Sequence, residues 1–195
     1  MKTILFNEKF GLRTSVLEGI KTMTRRVIKL KDYDKKYLEE AFDFDLRESI
    51  IIDIYSRYKV GEIVAIAQPY KDIVDNSYFL NQLAENNKSI GMMKEEGGWS
   101  NSMFAASYYM PHHIRITDIK VERLQDIGDE DCINEGIVPD FRPQSMSTKY
   151  YVPNQPTHCF TEPREAFAAL IDKVSGKGTW DSNPYVFCYT FELVD

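Results

Sequence analysis

Hydrophobic and polar residues follow two different periods along this chain. The segment "VGEIVAIAQ" carries an almost unbroken apolar run over 63–67, and "YVFCYTFEL" near the C-terminus alternates strongly, as strands do. Before that last segment, Pro163 begins a stretch whose apolar residues recur on one helical face: Phe167, Leu170, Ile171 and Val174. These patterns predict strands in the middle and at the end of the chain, with a helix between them.

The segment "HIRITDIKVERL" has a strand pattern whose phase slips by one residue. Ile114 and Ile116 share one face of the predicted strand. Ile119 follows Ile116 by three residues, an odd number, so in a regular strand Ile119 and Val121 would lie on the opposite face. One extra residue restores the phase, so the pattern predicts a β-bulge near 117–118.

Shorter elements accompany these strands. Residues 2–6 predict a short strand, followed by a helix that ends before Gly19, and "DIGDEDCINEGI" predicts a short acid-started helix ended by Gly136. Residues 31–58 predict one or two helices. The expected fold class is therefore α+β: a small mixed, mostly antiparallel sheet or barrel with flanking helices.

Two segments predict irregular structure. Residues 70–105 are polar and dotted with glycine, and 138–163 hold five of the eight prolines. Such compositions are typical of loops, and we expect both segments to lack regular elements.

Composition excludes several function classes. The 195 residues carry a net charge of −6, so any contact with nucleic acid needs a local basic patch. Three widely spaced cysteines without a CxxC pair argue against a disulfide framework or a zinc site, and no Walker or G-x-G-x-x-G motif occurs. With neither a signal peptide nor a long apolar run, the chain is expected to be a soluble cytoplasmic protein without membrane partner, metal or cofactor.

A basic patch does occur in "KTMTRR" and the residues after it. From 21 to 31 the chain has five basic residues and no acidic one. In an extended strand the side chains would divide between two faces, Thr22, Thr24 and Arg26 on one and Lys21, Met23 and Arg25 on the other. Arginine binds phosphate bidentately and threonine hydroxyls bind phosphate or base edges, although a solvated basic edge strand explains the same pattern.

The chain resembles the ASCH domains of the PUA-like superfamily, in particular their larger, phage-associated type. The resemblance is carried by segments in the family's order: "EGIKTMTRR", "YKVGEIVAIAQ", "RITDIKVERLQDIGDEDCINEGI" and "FAALIDKVSGKGTWDSNPYVFCYTFEL". It implies a single domain over 1–195, a PUA-like β-barrel with insertions at about 31–57, 70–98 and 138–160.

The resemblance also implies a function. ASCH domains are thought to bind RNA or modified nucleobases, and one bacterial branch deacylates N4-acetylcytidine with a lysine, a threonine and a glutamate. Its K-T-x-T-x-R motif matches Lys21, Thr22, Thr24 and Arg26, and block matching places its glutamate at Glu135.

Three hypotheses remain open at this stage. In the leading one the chain binds RNA or a modified nucleoside through Lys21, Thr24, Arg26 and Glu135. Additional ligand contacts are expected from Thr22, Arg25 and Arg115, the last of which is either a cleft residue or a surface strand residue.

The second hypothesis is an amidohydrolase for N4-acylated cytidine. There Thr24 attacks the acyl group, Lys21 acts as the base, and Glu135 orients the lysine or shuttles the proton. The third is a protein-interaction module of a mobile element, with an occluded cleft and apolar patches on the insertions.

Overall fold

The computed structural model describes residues 1–39, 44–141 and 148–194. The strands are β1 (Thr3–Ile4), β2 (Met23–Val27), β3 (Ile63–Ile66), β4 (His113–Arg123), β5 (Val138–Asp140), β6 (Lys149–Tyr151), β7 (Cys159–Phe160) and β8 (Tyr185–Leu193). The α-helices are α1 (Leu12–Leu17), α2 (Asp32–Glu39), α3 (Phe44–Tyr55), α4 (Ser77–Glu85), α5 (Ile90–Met93), α6 (Asp129–Asn134), α7 (Pro163–Ser175) and α8 (Thr179–Ser182).

A five-stranded sheet forms the body of the protein, in the order β1–β3–β4–β8–β2. β1 is parallel to β3, and every other neighbouring pair is antiparallel. β8 lies between β4 and β2 in the sheet, and it pairs with β4 on one side and with all five residues of β2 on the other. The predicted α+β class with a mostly antiparallel sheet is confirmed.

The predicted bulge in β4 is also confirmed. The register between β4 and β8 shifts between Ile116 and Asp118. The extra residue allows Ile114 and Ile116 before the bulge, and Ile119 and Val121 after it, all to be buried.

The sheet does not close into the predicted barrel. In the described parts of the chain β1 and β2 are the two edges of the sheet, and neither pairs with the other. β1 is only two residues long, so it offers little backbone for a closing ladder. Beyond its end, the Arg26 guanidinium reaches across from β2 and donates a hydrogen bond of 2.5 Å to the Leu5 carbonyl. A side chain thus bridges the place where strand pairing would close a barrel.

The prediction that 70–105 is irregular was wrong. The segment contains α4 and α5 besides several 3-10 turns, and it builds a second small core around Tyr70, Phe79 and Tyr109. Local sequence explains why α4 forms. The Asn76 side chain accepts hydrogen bonds from backbone amides of the first turn, and Phe79 and Leu83 are buried on one face of the helix.

The expectation of a loop over 138–163 also needs correction. Its described residues include a three-stranded antiparallel sheet in the order β5–β6–β7. Pro139 is tolerated because β5 is an edge strand, and Pro153 and Pro156 lie outside the strands. Residues 142–147 of this segment lie outside the described residues.

None of the helices in the described ranges is long and apolar enough to cross a membrane.

Candidate functional site

The basic stretch forms edge strand β2 and the turn before it. Gly19 has a left-handed φ of 71° and lets the chain reverse after α1, and Lys21 and Thr22 are then held by backbone bonds to Ser15 and Asn134. Lys21 and Arg25 both reach Glu135, with distances of 2.6 Å and 3.4 Å to its carboxylate oxygens. The prediction that they share a face is therefore confirmed.

Lys21 is buried, with 1% of its side chain exposed. Its Nζ donates to the Met23 carbonyl at 2.7 Å, the Glu135 carbonyl at 2.7 Å and Glu135 Oε2 at 2.6 Å. An ammonium group has three N–H donors, so all of them are used within the protein. Lys21 fastens β2 to the end of α6 and has no donor left for a ligand.

Glu135 meets Lys21 because of the way α6 ends. Gly136 follows with a φ of 102°, and the amides of Gly136 and Ile137 bond back to Ile133 and Cys132. This reversal turns both the backbone carbonyl and the carboxylate of Glu135 towards Lys21.

The Arg25 guanidinium is completely enclosed by protein. Its Nε donates to Glu122 at 2.6 Å, its Nη2 donates to Asp131 at 2.6 Å, and Nη1 approaches Glu135 at 3.4 Å. With three carboxylates around it and no exposed side-chain area, Arg25 has no atom available to a phosphate. It joins β2 to β4 and α6.

Burial changes the proton affinity of this cluster. Desolvation lowers the pKa of Lys21 from 10.5, whereas its pairing with Glu135 raises it. Burial also raises the pKa of the Cys132 and Cys188 thiols to about 12. These buried cysteines are consequently protonated at neutral pH and poor nucleophiles.

A cleft of about 970 Å³, called the β2 cleft below, opens beside this cluster. Thr24 and Arg26 line it, with apolar residues of α7 (Leu170, Ile171, Val174) on another wall. The Thr24 hydroxyl makes no hydrogen bond to the described residues. Of the predicted catalytic set, Thr24 is therefore the residue whose polar group has no partner among the described residues.

Uncompensated positive charge surrounds the β2 cleft. Arg26 bonds only the Leu5 carbonyl and lies over the Phe6 ring at 5.9 Å, and it forms no ion pair with any described residue. The exposed ammonium groups of Lys29 and Lys71 likewise line the cleft and pair with no carboxylate in the described ranges. Arg13 differs, since it is neutralised by Glu8 and Asp72.

Two sequence-predicted ligand residues lie away from the cleft lining. Thr22 is half-buried, and its backbone bonds Asn134 and Phe191. Arg115 is exposed on β4 and pairs with Glu192 at 2.8 Å. Arg115 was expected to be either a cleft residue or a surface strand residue, and the structure shows it as a surface strand residue. Sequence reasoning missed Lys71, which lies in the segment 70–98, outside the motifs that carry the resemblance.

The described lining of the β2 cleft is rich in hydrogen-bond donors. Within the described ranges, no group of His, Cys, Asp and Glu side chains could hold a metal ion. The β2 cleft is lined by the Thr24 hydroxyl, by several cationic groups and by the carboxylates of Glu8, Asp72 and Glu135. These carboxylates are paired with Arg13, Lys21 and Arg25, so the cations left unpaired favour an anion.

Comparison of the chain with protein-family models, curated proteins and solved structures finds no match. The functional assignment therefore depends on the geometry of the site and on the motifs quoted above.

Proposed function

We propose that this protein binds RNA or a modified nucleoside, as its phosphate-bearing nucleotide, in the β2 cleft. One observation carries the proposal: in a chain of net charge −6, Arg26, Lys29 and Lys71 line the same cleft as Thr24, and none of them forms an ion pair with a described residue. A half-buried guanidinium without a carboxylate partner is costly, and an anionic ligand would offset that cost.

In the proposed complex the cleft residues contact different parts of the ligand. Arg26 binds a phosphate through its remaining N–H groups, with Lys29 and Lys71 adding attraction at the rim. Thr24 donates to or accepts from the base edge or sugar, and the apolar wall of α7 packs against the ring. Lys21, Arg25 and Glu135 act indirectly, because they hold β2 in place.

Isothermal titration with cytidine and cytidine 5′-monophosphate tests this. The nucleotide should bind at least tenfold more tightly than the nucleoside, since a hydrogen bond to a charged group contributes about 1.5–3 kcal/mol. Arg26→Ala should remove that advantage and leave cytidine binding nearly unchanged.

The matched control is Lys120→Ala. Lys120 is an exposed cation on β4 that does not line the cleft, so its removal should change neither affinity. Equal affinity of the wild-type protein for the two ligands would contradict the role of the unpaired charges.

An amidohydrolase is the second candidate. It is favoured by the unpartnered Thr24 hydroxyl in a cleft that is also lined by Lys21, whose pKa burial lowers. Two contacts oppose it. All three Lys21 N–H groups are donated within the protein, and the Glu135 carboxylate is already engaged by Lys21 and Arg25. The lysine would have to lose a hydrogen-bonded proton before it could act as a base.

Incubation with N4-acetylcytidine separates the two candidates. A binding protein should take up the compound without releasing cytidine, and Thr24→Ala should weaken binding only several-fold, by about 0.5–1.5 kcal/mol. Cytidine release that is lost in Thr24→Ala and partly retained in Thr24→Ser would establish the enzyme instead.

The interaction-module hypothesis predicted an occluded cleft. The β2 cleft has room for a ligand, which this hypothesis did not expect, whereas the segment 70–98 exposes apolar side chains that include Leu80 and Met92. Failure of every nucleoside and nucleotide to bind would shift weight to this alternative.

A further inference from the structure

A second cavity of about 370 Å³ adjoins the β2 cleft. Leu5, Arg26, Val27 and Lys29 line both spaces, so the two meet at the open edge of the sheet. Arg57, just after α3, contributes to the second cavity alone. It belongs to the insertion at 31–57, outside the segments that resemble ASCH domains.

Among the described residues, the charged side chains that line the second cavity are all cationic. Its described residues include three cations, Arg26, Lys29 and Arg57, and no carboxylate. Like the other two, Arg57 forms no ion pair with a described residue, and its guanidinium lies over the Tyr58 ring at 5.6 Å. Cations around one cavity repel each other, and an anion bound between them would offset that repulsion by attracting each of them.

The floor of this cavity is rigid and aromatic. Tyr58 and Tyr189 pack edge to face at 5.3 Å, and Phe187 lies 5.8 Å from Tyr189. The Tyr58 hydroxyl donates to the Thr3 carbonyl, and the Tyr189 hydroxyl is bonded to Ser56. The hydroxyls are used and the rings are only 2–5% exposed, so the floor is a packed apolar surface of which small areas face the cavity. A sugar attached to a bound phosphate could lie against these areas.

We infer that the ligand is a single-stranded nucleic acid whose backbone passes Arg26, with one phosphate in the β2 cleft and another beside Arg57 in the second cavity. The inference depends on the proposed function and deepens it, because a lone nucleotide would fill only the first space. Two adjoining cavities that share Arg26 and Lys29 give one strand two neighbouring phosphate subsites.

Fluorescence anisotropy with a labelled eight-nucleotide single-stranded RNA, and competition by cytidine 5′-monophosphate, test the inference. Arg57→Ala should weaken RNA binding about tenfold, and Arg57→Glu should weaken it further. Both variants should bind the mononucleotide as the wild type does, whereas Arg26→Ala should weaken both ligands. Arg57 is exposed, so these variants should fold, and Lys120→Ala is the control.

Two results would overturn the inference in distinguishable ways. RNA binding that is unchanged in both Arg57 variants would remove the second subsite and leave the nucleotide site of the β2 cleft standing. A wild-type protein that binds neither the RNA nor the mononucleotide would refute the proposed function and the second subsite together.

Discussion

Replacing Glu135 by leucine should destabilise the protein far more than an ordinary charge removal. The substitution leaves the Lys21 ammonium in a site where 1% of its side chain is exposed, with two carbonyl acceptors but no counter-charge. It also removes one of the three carboxylates around Arg25.

The size of the effect follows from the geometry of the pair. At the Nζ–Oε2 distance of 2.6 Å and an effective dielectric constant of about 20, the gross attraction is about 6 kcal/mol. Desolvation offsets much of this in the intact pair, but it remains unopposed when one partner is deleted. Glu135→Leu should therefore lower the free energy of unfolding by about 3–5 kcal/mol.

Urea denaturation of a double-mutant cycle measures this. Lys21→Met combined with Glu135→Leu should be more stable than Glu135→Leu alone, because it leaves no uncompensated lysine charge. The control is Glu192→Leu, which breaks the exposed pair with Arg115 and should cost at most about 1 kcal/mol. If Glu135→Leu costs no more than this control, or if the two single effects simply add, Lys21 is not held by the contacts described here.

Three further predictions concern the surroundings of the pair. Gly136→Ala should cost about 1–2 kcal/mol in urea denaturation because of its φ of 102°, whereas Gly128→Ala, at a φ of −83°, should be nearly neutral; equal losses would contradict this. At pH values between the lowered pKa of Lys21 in the native state and 10.5, Lys21 is deprotonated in the native protein but still protonated in the unfolded chain. The unfolding free energy of the wild type relative to Lys21→Met should therefore rise with pH across that window, and a fall would show the opposite shift. Thiol titration of the native protein should label Cys159 alone, and reaction of the buried cysteines at neutral pH without denaturant would refute their raised pKa values.

Local patterns predicted the parts of the fold that local sequence determines. The bulge near 117–118 followed from a slip in alternation, and the end of α6 followed from Gly136, because each depends on a few neighbouring residues. Helix α4 has an equally local signal in Asn76 and its inward face, but the surrounding polar residues and glycines hid it.

The site was predictable only in part. Lys21 and Glu135 are 114 residues apart, and their pairing was expected only through the ASCH resemblance, since no periodicity connects them. Arg25 looked available for a ligand because its sequence neighbours are uncharged or basic. Its carboxylate partners come from β4 and α6, so only the folded arrangement shows that it is occupied. The open sheet edge could not be foreseen either, because it results from the shortness of β1.

The structure of the protein in complex with cytidine 5′-monophosphate tests the central claim most directly. The proposal predicts a phosphate in the β2 cleft with its oxygens about 2.7–2.9 Å from the Arg26 guanidinium, and a hydrogen bond between the Thr24 hydroxyl and the nucleotide. Lys21 should keep its bonds to Met23 and Glu135. A nucleotide bound elsewhere, with the β2 cleft empty and Arg26 bonded only to Leu5, would contradict the proposal.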